Sequence, residues 1–250
     1  MDMELKERFV GQWKTYFSEP ELPIVFYYTD REEDVERARP PSGHQCIIGV
    51  LAKVRAGKSL CFDVDGVGCE GGKRYLGFTE GIRPKFEYFL SCGIPGEMEG
   101  ERYKKTPEIV LEAMKILPPF KAPARFIVFK RWDHLEKKDD PDVVIFFARP
   151  DVLAGLFTLS NFDEIEPNAV FAPFAAGCGS IVHYPYLEKD SARPRGVLGM
   201  FDVSARPYVP KNTLSYALPM KKFVRMIGDM NESFLITPSW NKVRNRLTNH

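Results

Sequence analysis

The chain has 250 residues, 44% of them hydrophobic and 28% charged, so it carries enough apolar surface to offset chain entropy, and disorder is expected only at its ends. Thirty-five basic residues against 34 acidic ones leave a formal net charge of +1, which excludes the strong positive field of a nucleic-acid-binding protein. No apolar run reaches membrane-spanning length, and the charged opening Met1-Asp2-Met3-Glu4 lacks a secretory signal's apolar core, so a cytoplasmic protein outside the membrane is expected.

Leu5, Phe9, Val10, Trp13 and Phe17 recur near the helical period and predict an amphipathic helix over 4–17, packed on the core and ended by Pro20 and Pro23. Ile24–Tyr28 reads as a strand, and the charged run Arg31–Arg39 before Pro40-Pro41 as a solvated loop. A helix is expected over Cys46–Val54. The alternation in Ser59–Asp65 predicts a strand with Leu60, Phe62 and Val64 on one side and Cys61 and Asp63 on the other. It runs into Gly66-Val67-Gly68-Cys69-Glu70-Gly71-Gly72, where backbone can turn sharply or approach a ligand closely, and Lys73–Phe78 then opens a helix.

Thr106-Pro107-Glu108 is a helix start, with Val110, Met114 and Leu117 as the apolar stripe and Pro118-Pro119 as the stop. Two strands follow, Arg125–Arg131 and Val143–Ala148, joined by a charged turn. The second is apolar throughout, as in a strand covered on both faces. A helix is expected over Asp151–Leu159. The small-residue run Ala175-Ala176-Gly177-Cys178-Gly179-Ser180 suggests another turn entering a helix. Val197–Asp202 reads as a strand, Pro219–Met230 as a helix with Phe223, Val224, Ile227 and Met230 inward, and Thr237-Pro238 as the cap of a last helix holding Trp240, Val243 and Leu247. With no repeat or low-complexity tract, the pattern predicts one domain over residues 1–250, of α/β or α+β class, with a mixed sheet flanked by helices.

Five cysteines, Cys46, Cys61, Cys69, Cys92 and Cys178, are an odd number at irregular spacing in a chain large enough to fold unstapled, which argues against a disulfide scaffold. Two of them are flanked by glycine: Cys69, followed by Gly71 and Gly72, and Cys178, between Gly177 and Gly179. Low steric bulk and backbone amides aimed at sulfur suit a thiolate that is reactive or that ligates a metal cluster. Cys46 and Cys61 are candidates to complete a set of three or four ligands to an iron–sulfur cluster. The competing readings are structural thiols in close-packed turns and one lone reactive cysteine. Zinc is the weaker metal option, with His44 and His183 as borderline ligands and no Cys-x-x-Cys pair in the chain.

Other chemistries fit less well. Gly-x-Ser-x-Gly and Walker A sequences are absent. Gly66-x-Gly68-x-x-Gly71 matches a dinucleotide fingerprint formally, but Gly81 and Pro84 break the following helix too early for a full crossover. Arg206, just beyond the 197–202 strand, is a candidate for holding an anionic small-molecule ligand, against the simpler reading of an Asp202–Arg206 pair that fixes a loop. A small-molecule-binding protein with purely structural cysteines therefore stands as the alternative to a cluster protein with a redox or sensing role.

Cys69-Glu70-Gly71-Gly72-Lys73-Arg74-Tyr75-Leu76-Gly77-Phe78, Ala176-Gly177-Cys178-Gly179-Ser180, Leu198-Gly199-Met200-Phe201-Asp202-Val203-Ser204-Ala205-Arg206 and the closing Glu232-Ser233-Phe234-Leu235 with Trp240 resemble the bacterial and archaeal domain-of-unknown-function 169 family. The resemblance implies a one-domain protein, implicates Cys69 and Cys178, and names no reaction. The family's frequency in anaerobes is compatible with an oxygen-sensitive cluster.

Overall fold

A computed structural model describes residues 1–247 apart from 19, 32, 33 and 82. The elements in chain order are α1 (Met3–Phe17), β1 (Ile24–Thr29), β2 (Glu36–Arg37), α2 (Ile47–Arg55), β3 (Leu60–Phe62), α3 (Glu70–Tyr75), α4 (Phe86–Leu90), α5 (Pro107–Ile116), β4 (Phe126–Arg131), β5 (Val143–Ala148), α6 (Pro150–Ser160), β6 (Val170–Phe171), α7 (Tyr184–Leu187), β7 (Gly196–Gly199), β8 (Leu214–Pro219), α8 (Met220–Asp229) and α9 (Pro238–Leu247). One wide helical turn of π type, Gly179–His183, leads into α7.

The strands form one mixed sheet in the order β2-β3-β4-β1-β5-β8-β7-β6. The edge pairs β2–β3 and β6–β7 are parallel, and every pairing between them is antiparallel. β4 and β5 do not pair with each other, because β1 runs between them with Phe26 opposite both Phe129 and Val143. This is an α/β fold with helices around the sheet.

Strand alternation divides the core into two layers. Val25, Val144, Phe146, Tyr216 and Leu218 face α1, α6, α8 and α9, whose Phe9, Trp13, Phe17, Leu156, Phe223 and Trp240 complete an aromatic layer. Asp2 caps α1 at the Glu4 and Leu5 amides, and the Trp13, Trp132 and Trp240 indoles each donate to a backbone carbonyl. On the opposite face, Phe26, Phe129, Ile145, Phe147 and Ala217 meet α2, Val67, Cys178 and the π turn. A smaller cluster of Tyr27, Cys61, Phe126 and Val128 sits on the α1 side of the sheet near its β3 edge. Beside it the Lys130 ammonium and the Asp139 carboxylate, both buried, pair at 2.9 Å, with the Tyr27 hydroxyl donating to the same carboxylate.

The 31–39 loop contributes β2, an edge strand too short to show periodicity. β8 carries Ser215, Ala217 and a terminal Pro219, residues with little strand propensity, and pairing with β5 and β7 overrides them. Val224 faces outward at 38% exposure; Phe223, Ile227 and Met230 hold the inner face of α8.

Candidate functional site

Cys46, Cys69 and Cys178 come together on the α2–α3 face of the sheet. Cys46 is the N-cap of α2 and Cys69 the N-cap of α3, and Cys178 immediately precedes the π turn. The Gln45 amide donates to the Gly68 carbonyl at 3.1 Å, which fixes Cys46 beside Cys69. Glycines then let the three helical starts close on one another. A methyl group at Gly177 would stand 2.8 Å from Ala205 Cβ and 3.3 Å from Ile48 Cγ1, and one at Gly179 3.0 Å from Tyr75 Cδ1.

The electrostatics follow from that convergence. The Cys69 sulfur accepts the Gly72 amide at 3.1 Å and is also supported by the Ile47 amide. A methyl at Gly72 would meet this sulfur at 2.8 Å, so Gly72 gives its amide access to it. Burial nonetheless raises the Cys69 pKa, with the Cys46 thiol and Glu70 adding to it. Cys178 is pushed well above the usual thiol range by burial, then by Cys69, Cys46 and Asp202, and only the Gly179 amide opposes them. Burial and the neighbouring thiols thus both disfavour the thiolate at Cys69 and at Cys178.

The other cysteines lie elsewhere. Cys61 is on β3, but its side chain points to the opposite face of the sheet, among Tyr27, Phe126 and Val128, because it alternates with Leu60 and Phe62. Cys92 is exposed beyond α4. No cysteine is in a disulfide. Among the described residues no group of three or more His, Cys, Asp or Glu side chains is disposed to hold a metal ion. His44 is exposed in the loop before α2, away from any such group.

The glycine-rich turn packs against protein. Asp63, in an ion pair with Arg37, accepts the Gly66 amide at 3.0 Å. Methyl groups at Gly66 and Gly68 would stand 2.9 Å from the Ala38 carbonyl and 2.7 Å from Pro41 and Gln45. These two glycines are therefore needed for chain packing, and α3 ends after Tyr75 with no crossover to a parallel neighbour of β3 beyond the two-residue β2. Gly71 has open space around it. Arg206 donates to the Thr213, Lys211 and Pro210 carbonyls, so its guanidinium ties down the 206–213 loop. Asp202 accepts the Gly177 amide at 3.0 Å, the Ser204 amide and hydroxyl, and the Tyr103 hydroxyl, which anchors the backbone next to Cys178.

Around Cys178 stand residues that the sequence did not single out as a group. Burial first, then the neighbouring Cys178 and Tyr184, push the Tyr75 phenol up to about 12. His183 closes the π turn with 3% exposure, stacked with Phe120 at 5.1 Å and Tyr184 at 5.3 Å between ring centres. Neither ring nitrogen makes a well-formed hydrogen bond among the described residues, and the Pro118 carbonyl is a weak acceptor beside the ring. Burial draws its pKa down to about 4, with the nearby Pro118 carbonyl opposing and the Arg74 charge reinforcing the shift. Phe120 belongs to the excursion that starts at Gly77, just past α3, and closes where the Ala122 amide donates to the Gly77 carbonyl, and its ring covers His183.

A family model described as an uncharacterised ArCR family, DUF169, matches residues 3–229, most of the chain and all three converging cysteines. The chain belongs to the DUF169 family. No curated protein and no solved structure matches it significantly. The DUF169 assignment brings no activity with it, so the chemistry of this member rests on its own residues. Among the described residues, no helix is long and apolar enough to cross a membrane.

Proposed function

We propose that this DUF169 protein binds an iron–sulfur cluster through Cys46, Cys69 and Cys178 and uses it in a redox, sensing or substrate-binding role in the reducing cytoplasm. The observation that carries the reading is the convergence of three thiols from separate segments, with backbone amides directed at Cys69. Amides directed at sulfur are what tunes and shields a cluster.

One zinc ion draws its ligands to within about 2.3 Å of a single point, whereas a cluster interposes its own irons and sulfides, so the cysteines around it stand farther apart. Three cysteines, one short of the four that enclose a cluster completely, leave one iron to accept an outside ligand. When bound, the cluster supplies electron transfer or Lewis acidity at that iron. The chain supplies three thiolates, amide donors and a buried setting that excludes water.

Anaerobic purification, an absorption scan and assays for iron and acid-labile sulfide test the proposal. A brown protein with iron and sulfide in near-equal amounts is expected. Colourless, metal-free protein that cannot be reconstituted with iron and sulfide would overturn it and leave the alternative of a small-molecule-binding protein with structural thiols.

A further inference from the structure

Cys46 and Cys69 leave from backbone that is joined side by side. The Gln45 amide donates to the Gly68 carbonyl at 3.1 Å, and a methyl at Gly68 would stand 2.7 Å from Gln45 Cβ, so the residue that follows each begins from the same place. Both cysteines then cap a helix, Cys46 that of Ile47–Arg55 and Cys69 that of Glu70–Tyr75. The Cys69 sulfur accepts the Gly72 amide at 3.1 Å and is supported by the amide of Ile47, the residue directly after Cys46. That sets the Cys69 sulfur beside the Cys46 backbone, the closeness a disulfide requires, since its two Cα atoms stand only about 4.4–6.8 Å apart.

Access separates these two thiols from the rest. Both are half-buried, whereas Cys61 and Cys178 are buried and Cys92 is exposed beyond α4. The Cys46 side chain makes no capping bond to α2, so it can turn toward Cys69 without giving one up. Cys69 is held by amides and burial opposes its ionisation, which makes it the slower of the two to meet an oxidant.

We propose that Cys46 and Cys69 form a reversible disulfide on exposure to a peroxide, a redox switch built into the starts of α2 and α3. The Cys46 sulfur attacks the peroxide, whose O–O bond breaks, and becomes a sulfenic acid with release of water. The Cys69 thiol then attacks that sulfur, the S–O bond breaks, the S–S bond forms and a second water departs. Two thiols thereby lose two electrons to one peroxide, and an external dithiol restores them. Closing the bond draws the Cys69 sulfur off the Gly72 and Ile47 amides, so the oxidised chain can no longer present Cys46, Cys69 and Cys178 as a set of three. The inference goes beyond the cluster reading and does not rest on it, because it concerns the two thiols with no iron bound.

The test treats the full chain, purified anaerobically and stripped of iron with a chelator, with an equimolar amount of hydrogen peroxide, and then caps the remaining thiols with N-ethylmaleimide. The chain is expected to lose two of its five free thiols and to recover both with dithiothreitol. Trypsin cuts after Lys53 and Lys58, so the bond appears in mass spectra as two joined peptides, and fragment sequencing separates Cys69 from Cys61 on the second. Cys46→Ser and Cys69→Ser should each abolish the link, and Cys178→Ser should keep it. Five thiols left intact, a link between any other pair, or a link that survives Cys46→Ser would overturn the proposal. Iron and sulfide assays on the untreated protein decide the cluster reading separately. Iron-loaded protein whose stripped form makes no link would keep the cluster and overturn the switch, and protein that never takes up iron but makes the link would do the reverse.

Discussion

The two faces of the sheet are built from the same strands and covered by different chemistry. On one, α1, α6, α8 and α9 lay interlocking rings over Val144, Phe146 and Leu218, and the indole N–H groups all find carbonyls. On the other, α2, α3 and the π turn bring cysteines, glycines and a poorly bonded histidine over Phe26, Ile145 and Ala217. The first face lowers the free energy of folding wherever it can. The second keeps groups that a purely structural layer would replace, the pattern expected where stability has been traded for a site.

Mutations that shrink the aromatic layer should have the largest effects. Phe9→Ala removes a fully buried ring that meets Trp13, Trp132, Phe146 and Phe223, and should cost about 4 kcal/mol in denaturant unfolding. Asp139→Asn leaves the buried Lys130 ammonium with only the exposed Glu136 carboxylate, 3.5 Å away, and should cost about 3 kcal/mol. Against burial, the Glu136 amide, then Lys130 and the Tyr27 hydroxyl, hold the Asp139 pKa below the usual carboxylate range. The pair's contribution is therefore complete above the unfolded carboxyl pKa and lost as pH falls through the lower folded value, so the variant should show a shallower acid transition.

Effects on the cysteine face should be smaller and of mixed sign. Gly72→Ala drives a methyl against Cys69 Sγ and Val67, and should cost about 2 kcal/mol while displacing the sulfur. His183→Leu should stabilise the iron-free protein by about 1 kcal/mol at neutral pH, because it removes two buried nitrogens whose hydrogen bonding is at best a weak one to the Pro118 carbonyl. With a folded pKa of about 4 against an ordinary 6.5, His183 takes up its proton more readily in the unfolded chain, so stability falls as pH drops through that interval. Urea unfolding across this range should show a weaker pH dependence in His183→Leu. An unchanged slope would mean that the ring is already solvated. Cys92→Ser, at an exposed thiol, should change stability by less than about 0.5 kcal/mol.

The difference between the faces also explains what the sequence revealed. The covered face was legible from period alone, since Phe9, Trp13 and Phe17 fall on one stripe of α1 and the unbroken Val143–Ala148 run marks a strand enclosed on both sides. On the other face, glycine beside Cys69 and Cys178 pointed to two of the three converging thiols. Cys46 and Cys61 were indistinguishable, because only strand alternation combined with the position of β3 sends Cys61 to the opposite side. The loop contacts of Arg206 were not legible, because the 206–213 carbonyls that bind it come from backbone, which carries no sequence signal. Tyr75, His183 and Tyr184 form a group only through a π turn and a packing contact between Tyr75 and Gly179, neither of which has a periodic signature.

The central claim concerns which sulfurs act together, and serine replacement at each cysteine followed by iron quantification under anaerobic conditions addresses it most directly. Cys46→Ser, Cys69→Ser and Cys178→Ser should each lose most of the bound iron, while Cys61→Ser and Cys92→Ser retain it. Iron that survives in all three of the first set, or that disappears with Cys61, would contradict the account.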